Sequence, residues 1–246
     1  MRADQLLVQR GLAASRSQAQ RLIAAGLRWR LGGGAWQAVG KNGAEVPEDA
    51  ELQLASRAEA RYVSRGGLKL EGALDATGLD VRGRCCLDVG QSTGGFTHCL
   101  LQHGAAHVTG VDVGHGQLHP TLAADARVRC IEGVNARHLS ADILGSADFD
   151  CIVGDVSFIS LTLIFPALAL LLADGGHVLM LVKPQFELQP GEIGKGGVVR
   201  DEKLYAKVRQ KMETACAQNG WCVLHWLPSP ICGGDGNREF FIHAQQ

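Results

Sequence analysis

Cys85-Cys-Leu-Asp-Val-Gly90-Gln-Ser-Thr-Gly-Gly95-Phe96 decides how this chain of 246 residues folds. An apolar run of strand length carries an acid, Asp88, close to its end, and a glycine-rich turn follows. A helix is predicted over residues 96–103. The same strand–helix pattern recurs downstream, with strands predicted at His107–Val113, Val128–Ile131, Phe149–Gly154 and His177–Lys183, the Phe149–Gly154 strand being followed by a helix through Ala173. A helix over Leu204–Asn219, closed by Gly220, leads to a terminal strand pair, Trp221–Pro228 and Arg238–Ala244. Apolar strands alternating with helices over about 160 residues make an α/β fold, a doubly wound parallel sheet with ligands at the carboxyl ends of its strands.

Upstream of this unit, Leu68–Thr77 is predicted helical, with Leu70, Ala73 and Leu74 on its apolar face and Gly78 as its stop. Lys69 lies one position off that face; taken alone it reads as a solvated lysine. The polar, basic stretch Ser56–Gly67 places a domain boundary near Ala60. It divides the chain into residues 1–60, a bridging segment 61–80 and residues 81–246. At the N-terminus a short helix over Asp4–Gln9 ends at Gly11. Ser15 and Gln18 have capping-box spacing and open a second helix to Ala25. Leu27–Leu31 and Ala35–Val39 alternate around three glycines like a hairpin, and Glu51–Ala55 closes a small sheet.

A formal charge of −1 argues at face value against a polyanion partner, but it is an average. Residues 1–69 hold 11 basic and 6 acidic side chains, and residues 70–246 hold 13 and 19. Within residues 1–30, Arg2, Arg10, Arg16, Arg21, Arg28 and Arg30 face a single acid, Asp4. Guanidinium forks suit phosphate, and such clustering marks nucleic-acid modules; a solvated basic helix face accounts for it equally well. A hydrophobic content of 46% with 20% charged residues excludes wholesale disorder. Eight cysteines show no C-x-x-C spacing, and Cys85, Cys86, Cys130 and Cys151 lie in apolar runs, as small buried hydrophobes of a reducing compartment do. The start lacks a signal-peptide pattern. The longest apolar run, Leu161–Ala173, is interrupted by Thr162 and Pro166. A cytoplasmic protein without a membrane span is expected.

The turn's glycines, at 90, 94 and 95, are spaced wrongly for a dinucleotide cradle, and no lysine follows as in a P-loop. Asp88 near the end of the first strand, the glycine turn, and Asp112 near the end of the second together resemble the S-adenosylmethionine site of class I methyltransferases. Gly90 would let the turn press against the cofactor, Asp88 would order the loop or meet the methionine ammonium, and Asp112 would accept both ribose hydroxyls. Either acid alone reads as a strand-end cap. The resemblance implies a Rossmann-like, seven-stranded, mostly parallel sheet. It also implies cofactor contacts at Asp88, Gly90, Ser92, Thr93, Gly94, Gly95, Phe96, Asp112, Asn135 and Asp155.

Asp155-Val-Ser-Phe-Ile-Ser160 lacks the Asn/Asp-Pro-Pro-aromatic of methyltransferases acting on exocyclic amines. Ser229-Pro-Ile-Cys232 has the wrong spacing for a cytosine-attacking cysteine, so an oxygen target remains. Lys183 ends the fifth predicted strand and Glu239 opens the last. With Lys69 and Asp155 they resemble the Lys-Asp-Lys-Glu tetrad of FtsJ-like RNA ribose 2′-O-methyltransferases. Closer still is the TlyA family of hemolysin-named ribosomal RNA methyltransferases. Its stretches are similar to Tyr62-Val-Ser-Arg-Gly-Gly-Leu-Lys-Leu70, Leu87-Asp-Val-Gly-Gln-Ser-Thr-Gly-Gly-Phe96, Val111-Asp-Val-Gly-His-Gly-Gln-Leu-His119, Gly154-Asp-Val-Ser-Phe-Ile-Ser-Leu161, Val182-Lys-Pro-Gln-Phe-Glu187 and Gly236-Asn-Arg-Glu-Phe-Phe241. Gln91 departs from that family's usual Ala and is expected to alter the loop surface only. At the N-terminus, Arg2-Ala-Asp4, Leu7-Val, Arg10-Gly-Leu, Ser15-Arg16, Ala19, Leu22-Ile23 and Gly26 resemble the small α+β S-four-type RNA-binding domain. The match weakens after Gly26, where Leu27-Arg-Trp-Arg-Leu-Gly-Gly-Gly replaces the usual Val-x-Val-Asn-Gly.

These resemblances imply methyl transfer from S-adenosylmethionine to a ribose 2′-hydroxyl of ribosomal RNA, with cytidine as the nucleoside. Lys183 would be the base, its pKa lowered by a neighbouring cation and desolvation. Asp155 would orient it, Lys69 would hold the ribose, and Glu239 would position a lysine. Arg2, Arg10, Arg16, Arg21, Arg28 and Arg65 are the expected RNA contacts. No metal is expected, and the partner of a monomeric chain would be ribosomal RNA or a ribosomal subunit. Gly191–Val198 reads as a loop closing over RNA or cofactor, or as an ordinary surface loop. Rival readings are a membrane-active hemolysin, an RNA-binding protein with a vestigial methyltransferase domain, and a small-molecule O-methyltransferase.

Overall fold

The computed structural model describes residues 1–13, 15–54, 61–145 and 147–246. It separates into two compact units, Met1–Arg65 and Gly66–Gln246. The position near Ala60 expected as a boundary lies outside the described residues, and the helix expected to bridge belongs to the second unit.

In the first unit, α1 (Ala3–Gln9) and α2 (Arg16–Ala24) pair, and β1 (Leu27–Arg30), β2 (Gln37–Ala38) and β3 (Glu51–Leu54) form an antiparallel sheet in the order β2-β1-β3. Leu6, Leu7, Ala19, Leu22, Ile23 and Leu27 bury its core. Ser15 Oγ accepts the Gln18 amide at 3.2 Å, as its cap position predicts, and the Gln18 side chain donates to Tyr62 O at 3.1 Å.

The second unit opens with α3 (Gly66–Thr77). Then follow β4 (Cys85–Val89), α4 (Gly95–Gln102), β5 (His107–Val111), α5 (Pro120–Ala123), β6 (Val128–Ile131), α6 (Ala141–Leu144) and β7 (Phe149–Gly154). The rest is α7 (Phe165–Ala169), β8 (Leu172–Val182), α8 (Pro184–Glu187), α9 (Glu202–Gln218), β9 (Cys222–Pro228) and β10 (Phe240–Gln245). The strands form one seven-stranded sheet in the order β6-β5-β4-β7-β8-β10-β9. Neighbours from β6 to β8 run parallel, and β10 is antiparallel to both β8 and β9. The inner strands read as continuous apolar runs because helices cover both faces. Leu87, Val89, Ile152, Met180 and Ile242 meet Phe165, Leu168, Val208 and Met212 on one side.

Two local expectations are corrected. The helix expected through Ala173 is a 3-10 turn at Leu161–Leu163 followed by α7, and β8 begins at Leu172 rather than His177. Pro166 is tolerated only in the first turn of a helix, so the helix restarts there, and Leu172 is drawn into register with Phe149. Cys86 and Cys151 are buried, but Cys85 and Cys130 are exposed. Cys85 opens β4, and Cys130 lies on the sheet edge.

Candidate active site

Lys69 projects from α3 and donates to Glu239 Oε2 at 2.6 Å, with both residues buried. Glu239 immediately precedes β10, whose Phe240 pairs with Val182 of β8. Continuing that antiparallel register brings Glu239 opposite Lys183, which leads into α8. Lys183 Nζ lies 2.6 Å from Asp155 Oδ1 and donates to Ser157 Oγ at 2.7 Å. Asp155 follows the last residue of β7. Both ion pairs therefore sit at the carboxyl end of the parallel strands. They also share one electrostatic field. Burial raises the Glu239 pKa, the Lys69 hydrogen bond and charge lower it, Asp155 raises it and Lys183 lowers it. The four residues predicted as a tetrad meet as two linked pairs.

The glycine turn lies beside them. Asp88 is fully buried, and its Oδ2 accepts both the amide and the hydroxyl of Thr97, at 2.9 and 2.7 Å. This caps the first turn of α4 from below. Gly90 and Gly94 have φ of +83° and +89°. A Cβ on Gly90 would stand 2.8 Å from Asp155 O, so only glycine fits between the turn and the Asp155 backbone. Gly95 begins α4, and Phe96 stacks on Phe241 at 6.1 Å. Ser92 holds a strained φ of +47°, and its amide donates to Asp112 Oδ2 at 2.7 Å. Asp112 Oδ1 accepts Gly114 N at 2.7 Å, so each carboxylate oxygen holds one amide and keeps acceptor capacity. Thr93 is exposed beside the turn, and Asn135 caps the 3-10 turn at Ala136–His138.

The arginines of the first unit are partly committed. Arg2 makes two hydrogen bonds to the Asp4 carboxylate, each of 3.0 Å, and Arg16 adds a third at 3.1 Å. The Arg2 hydrogen bond, then Arg16, hold the Asp4 pKa near 2, although its desolvation pushes upward. Arg10 donates to Ala50 O and Glu48 O and ties that loop to α1. Arg28 is exposed on β1, while Arg21 and Arg65 are half-buried.

Residues 62–246 match the family of FtsJ-like methyltransferases. The chain belongs to this family. It is 44% identical over 241 residues to the 16S/23S rRNA (cytidine-2'-O)-methyltransferase TlyA of Mycobacterium tuberculosis, covering 98% of this chain and 88% of that one. It is 38% identical over 248 residues to Hemolysin A of Brachyspira hyodysenteriae, covering 99% of each. A solved structure of a hemolysin-named protein from Streptococcus thermophilus matches with a TM-score of 0.77 and 42% identity, over 100% of this chain and 88% of that one. Among the described residues, no helix is long and apolar enough to cross a membrane.

An FtsJ-like methyltransferase uses S-adenosylmethionine, and the residues here fit it. Asp88 Oδ1 is buried with no hydrogen-bond partner among the described residues. Burial, opposed by Thr97 and reinforced by Asp155 and Asp112, lifts the Asp88 pKa to about 7. A ligand bearing positive charge relieves such a cluster of acids, whereas a phosphate would worsen it. Several residues at this FtsJ-like site escape sequence reasoning. Gln91 does not alter the loop surface as expected: it is buried and donates to Thr97 Oγ1 at 2.9 Å, in space that exists because residue 110 is glycine. Asn237 is fully buried, accepts Val199 N and donates to Gly197 O, and so latches the glycine-rich loop expected to be a lid. Ser157 and Asn237 lie within motifs already singled out, but a serine or asparagine carries no positional signal of its own.

Proposed function

We infer that the chain transfers a methyl group from S-adenosylmethionine to the 2′-hydroxyl of a cytidine ribose in ribosomal RNA. The observation that carries this reading is the pair of ion pairs, Lys69–Glu239 and Lys183–Asp155, beside the acidic glycine turn. Membership of the FtsJ-like family and the activity for which the M. tuberculosis relative is named support it.

When bound, S-adenosylmethionine supplies an electrophilic methyl. Asp88, Gly90, Ser92–Phe96, Asp112 and Asn135 would hold it against β4 and β5. The protein must then align the ribose oxygen and ease loss of its proton. Lys183 takes that proton on Nζ, and Asp155 with Ser157 fixes where Nζ points. Lys69, anchored by Glu239, holds the ribose by hydrogen bonding. Phe158 follows Ser157, the partner of Lys183, with φ +65°, is 90% exposed, and its ring lies 5.1 Å from that of Phe186. Such an aromatic face suits stacking on a splayed-out base. In the first unit, Arg2 and Arg16, oriented on Asp4, together with Arg28 and the flanking Arg10, Arg21 and Arg65, are the proposed RNA grip. This reading extends the S-four-type resemblance, and the ribosomal substrate would be met in the cytoplasm.

Incubation of the protein with labelled S-adenosylmethionine and ribosomal RNA or subunits, followed by mapping of methylated riboses, tests the reading. Transfer is expected to a ribose oxygen and to be lost in Lys183→Ala, with cofactor binding retained. Full transfer by Lys183→Ala would remove the base assignment.

A further inference from the structure

Glu187 is buried at the end of α8 although it touches neither ion pair of the tetrad. Its Oε1 accepts Leu161 N at 2.7 Å and its Oε2 accepts Ser160 Oγ at 2.5 Å. Lys211, partly exposed on α9, donates to Glu187 Oε2 and to Glu187 O, each at 2.8 Å, and to Ser160 Oγ at 3.1 Å.

The two segments joined here are those that carry Lys183 and Asp155. Lys183 leads α8 and Glu187 ends it. Asp155 begins the loop that Ser160 and Leu161 end. The segments are cross-linked at the front by Lys183–Asp155, in the middle by Phe186–Phe158, and at the rear by Glu187 with Ser160 and Leu161. A helix of four residues cannot stabilise itself. The loop also carries strained backbone at Phe158, which persists only when its surroundings hold it. Both segments therefore depend on their anchors. Leu161 N, Ser160 Oγ and Lys211 Nζ all donate, so a carboxylate, with two acceptor oxygens and a charge, suits the position better than an amide.

We propose that Glu187 is a positioning residue for methyl transfer, fixing the Lys183 segment against the Asp155 segment through Ser160, Leu161 and Lys211. The proposal rests on the reading of Lys183 as the base. The cofactor turn after β4 meets this loop at Asp155 and Val156, whereas the rear anchor holds Ser160 and Leu161, so loosening the clamp is expected to misplace the base while leaving the cofactor turn in place. A misplacement of about 1 Å in a catalytic group costs on the order of a hundred-fold in rate.

The test is the paired variant Glu187→Met/Lys211→Met. It removes the Glu187–Lys211 charge pair without leaving either charge alone and nearly preserves volume, but it takes the acceptor from the buried Leu161 amide, so a modest loss of stability accompanies it. The expected result is a modestly lowered melting midpoint with the chain still folded at the assay temperature, S-adenosylmethionine affinity within about two-fold of the parent, and a single-turnover rate reduced at least about ten-fold. Ser160→Ala leaves the ion pair in place and is expected to lower kcat several-fold with an unchanged KM for RNA. The proposal is overturned if the paired variant transfers methyl at the parental rate. It is equally overturned if rate, melting midpoint and cofactor affinity fall in step in both variants, which would mark a structural role alone. Lys183→Ala separates the two assignments. Full activity there removes the base, whereas inactivity there with parental activity in the paired variant leaves the base and removes the clamp.

Discussion

Asp88 ionises with difficulty where it lies. Burial, with Asp155 and Asp112 adding to it, holds its pKa at about 7 against 3.8 in an open chain. Between these values the folded state keeps a proton that the unfolded state has lost, so this group makes stability fall as pH rises from about 4 to about 7. Asp88→Asn is expected to flatten that slope in calorimetric melts taken across the range. A cationic cofactor favours the ionised acid, so its affinity should tighten as pH rises through about 7, with proton release on binding. Titration calorimetry in buffers of different ionisation enthalpy measures the released proton; absence of release in the parent would contradict the assignment. Phe158→Ala is expected to raise KM for RNA and lower kcat about ten-fold or more while cofactor affinity holds, since an aromatic stacking contact is worth about 1–3 kcal/mol. Asp88 is singled out by its motif context, whereas Phe158 lies within a motif without a signal of its own. The burial that perturbs the first and the positive φ of the second could not be read there, because both depend on what the rest of the chain places around them.

At the scale of elements, strand β5 and the turn after β4 fit through a missing side chain. A Cβ on Gly110 would stand 2.0 Å from the Gln91 side chain. Gly110→Ala is therefore expected to lower the melting midpoint, and Gln91→Ala in the same chain to restore most of it, since the shortened side chain vacates that space. Strands β8, β10 and β9 carry a run of ring contacts, His177–His243–His225, with nitrogen separations of 3.1 Å on both sides of His243. Burial, then His177 and His225, lowers the His243 pKa to about 4. The unfolded chain binds that proton from about 6.5 downward, so stability is lost as pH falls from about 6.5 to about 4. His243→Gln should reduce this acid sensitivity in thermal melts taken between those limits. The elements themselves were largely legible, because buried strands and capped helices leave local patterns. The misread stretch after Gly154 shows the limit. Its apolar run reads equally as helix or strand, and pairing of Leu172 with Phe149 decides between them.

At the scale of the molecule, the near-zero charge conceals a basic front and an acidic remainder. If the front grips RNA, Arg28→Glu should weaken binding to ribosomal RNA across sequences and reduce the slope of log affinity against log salt by about one. Filter binding at several salt concentrations measures this, and an unchanged slope would remove Arg28 from the grip. Sequence alone determined the alternation of strand and helix and the glycine turn with its acids, and it named the four residues proposed as a tetrad, because periodicity, turn chemistry and motif are local. Only tertiary structure decided that Lys69 and Glu239, 170 positions apart, pair at 2.6 Å, and that Asp4 gathers two arginines while Arg10 holds a loop. Only it showed Glu187 spanning the segments of Lys183 and Asp155. Those contacts follow from the insertion of β10 between β8 and β9 and from the packing of short segments on one another. Local periodicity carries no record of which distant partner a strand or loop will meet.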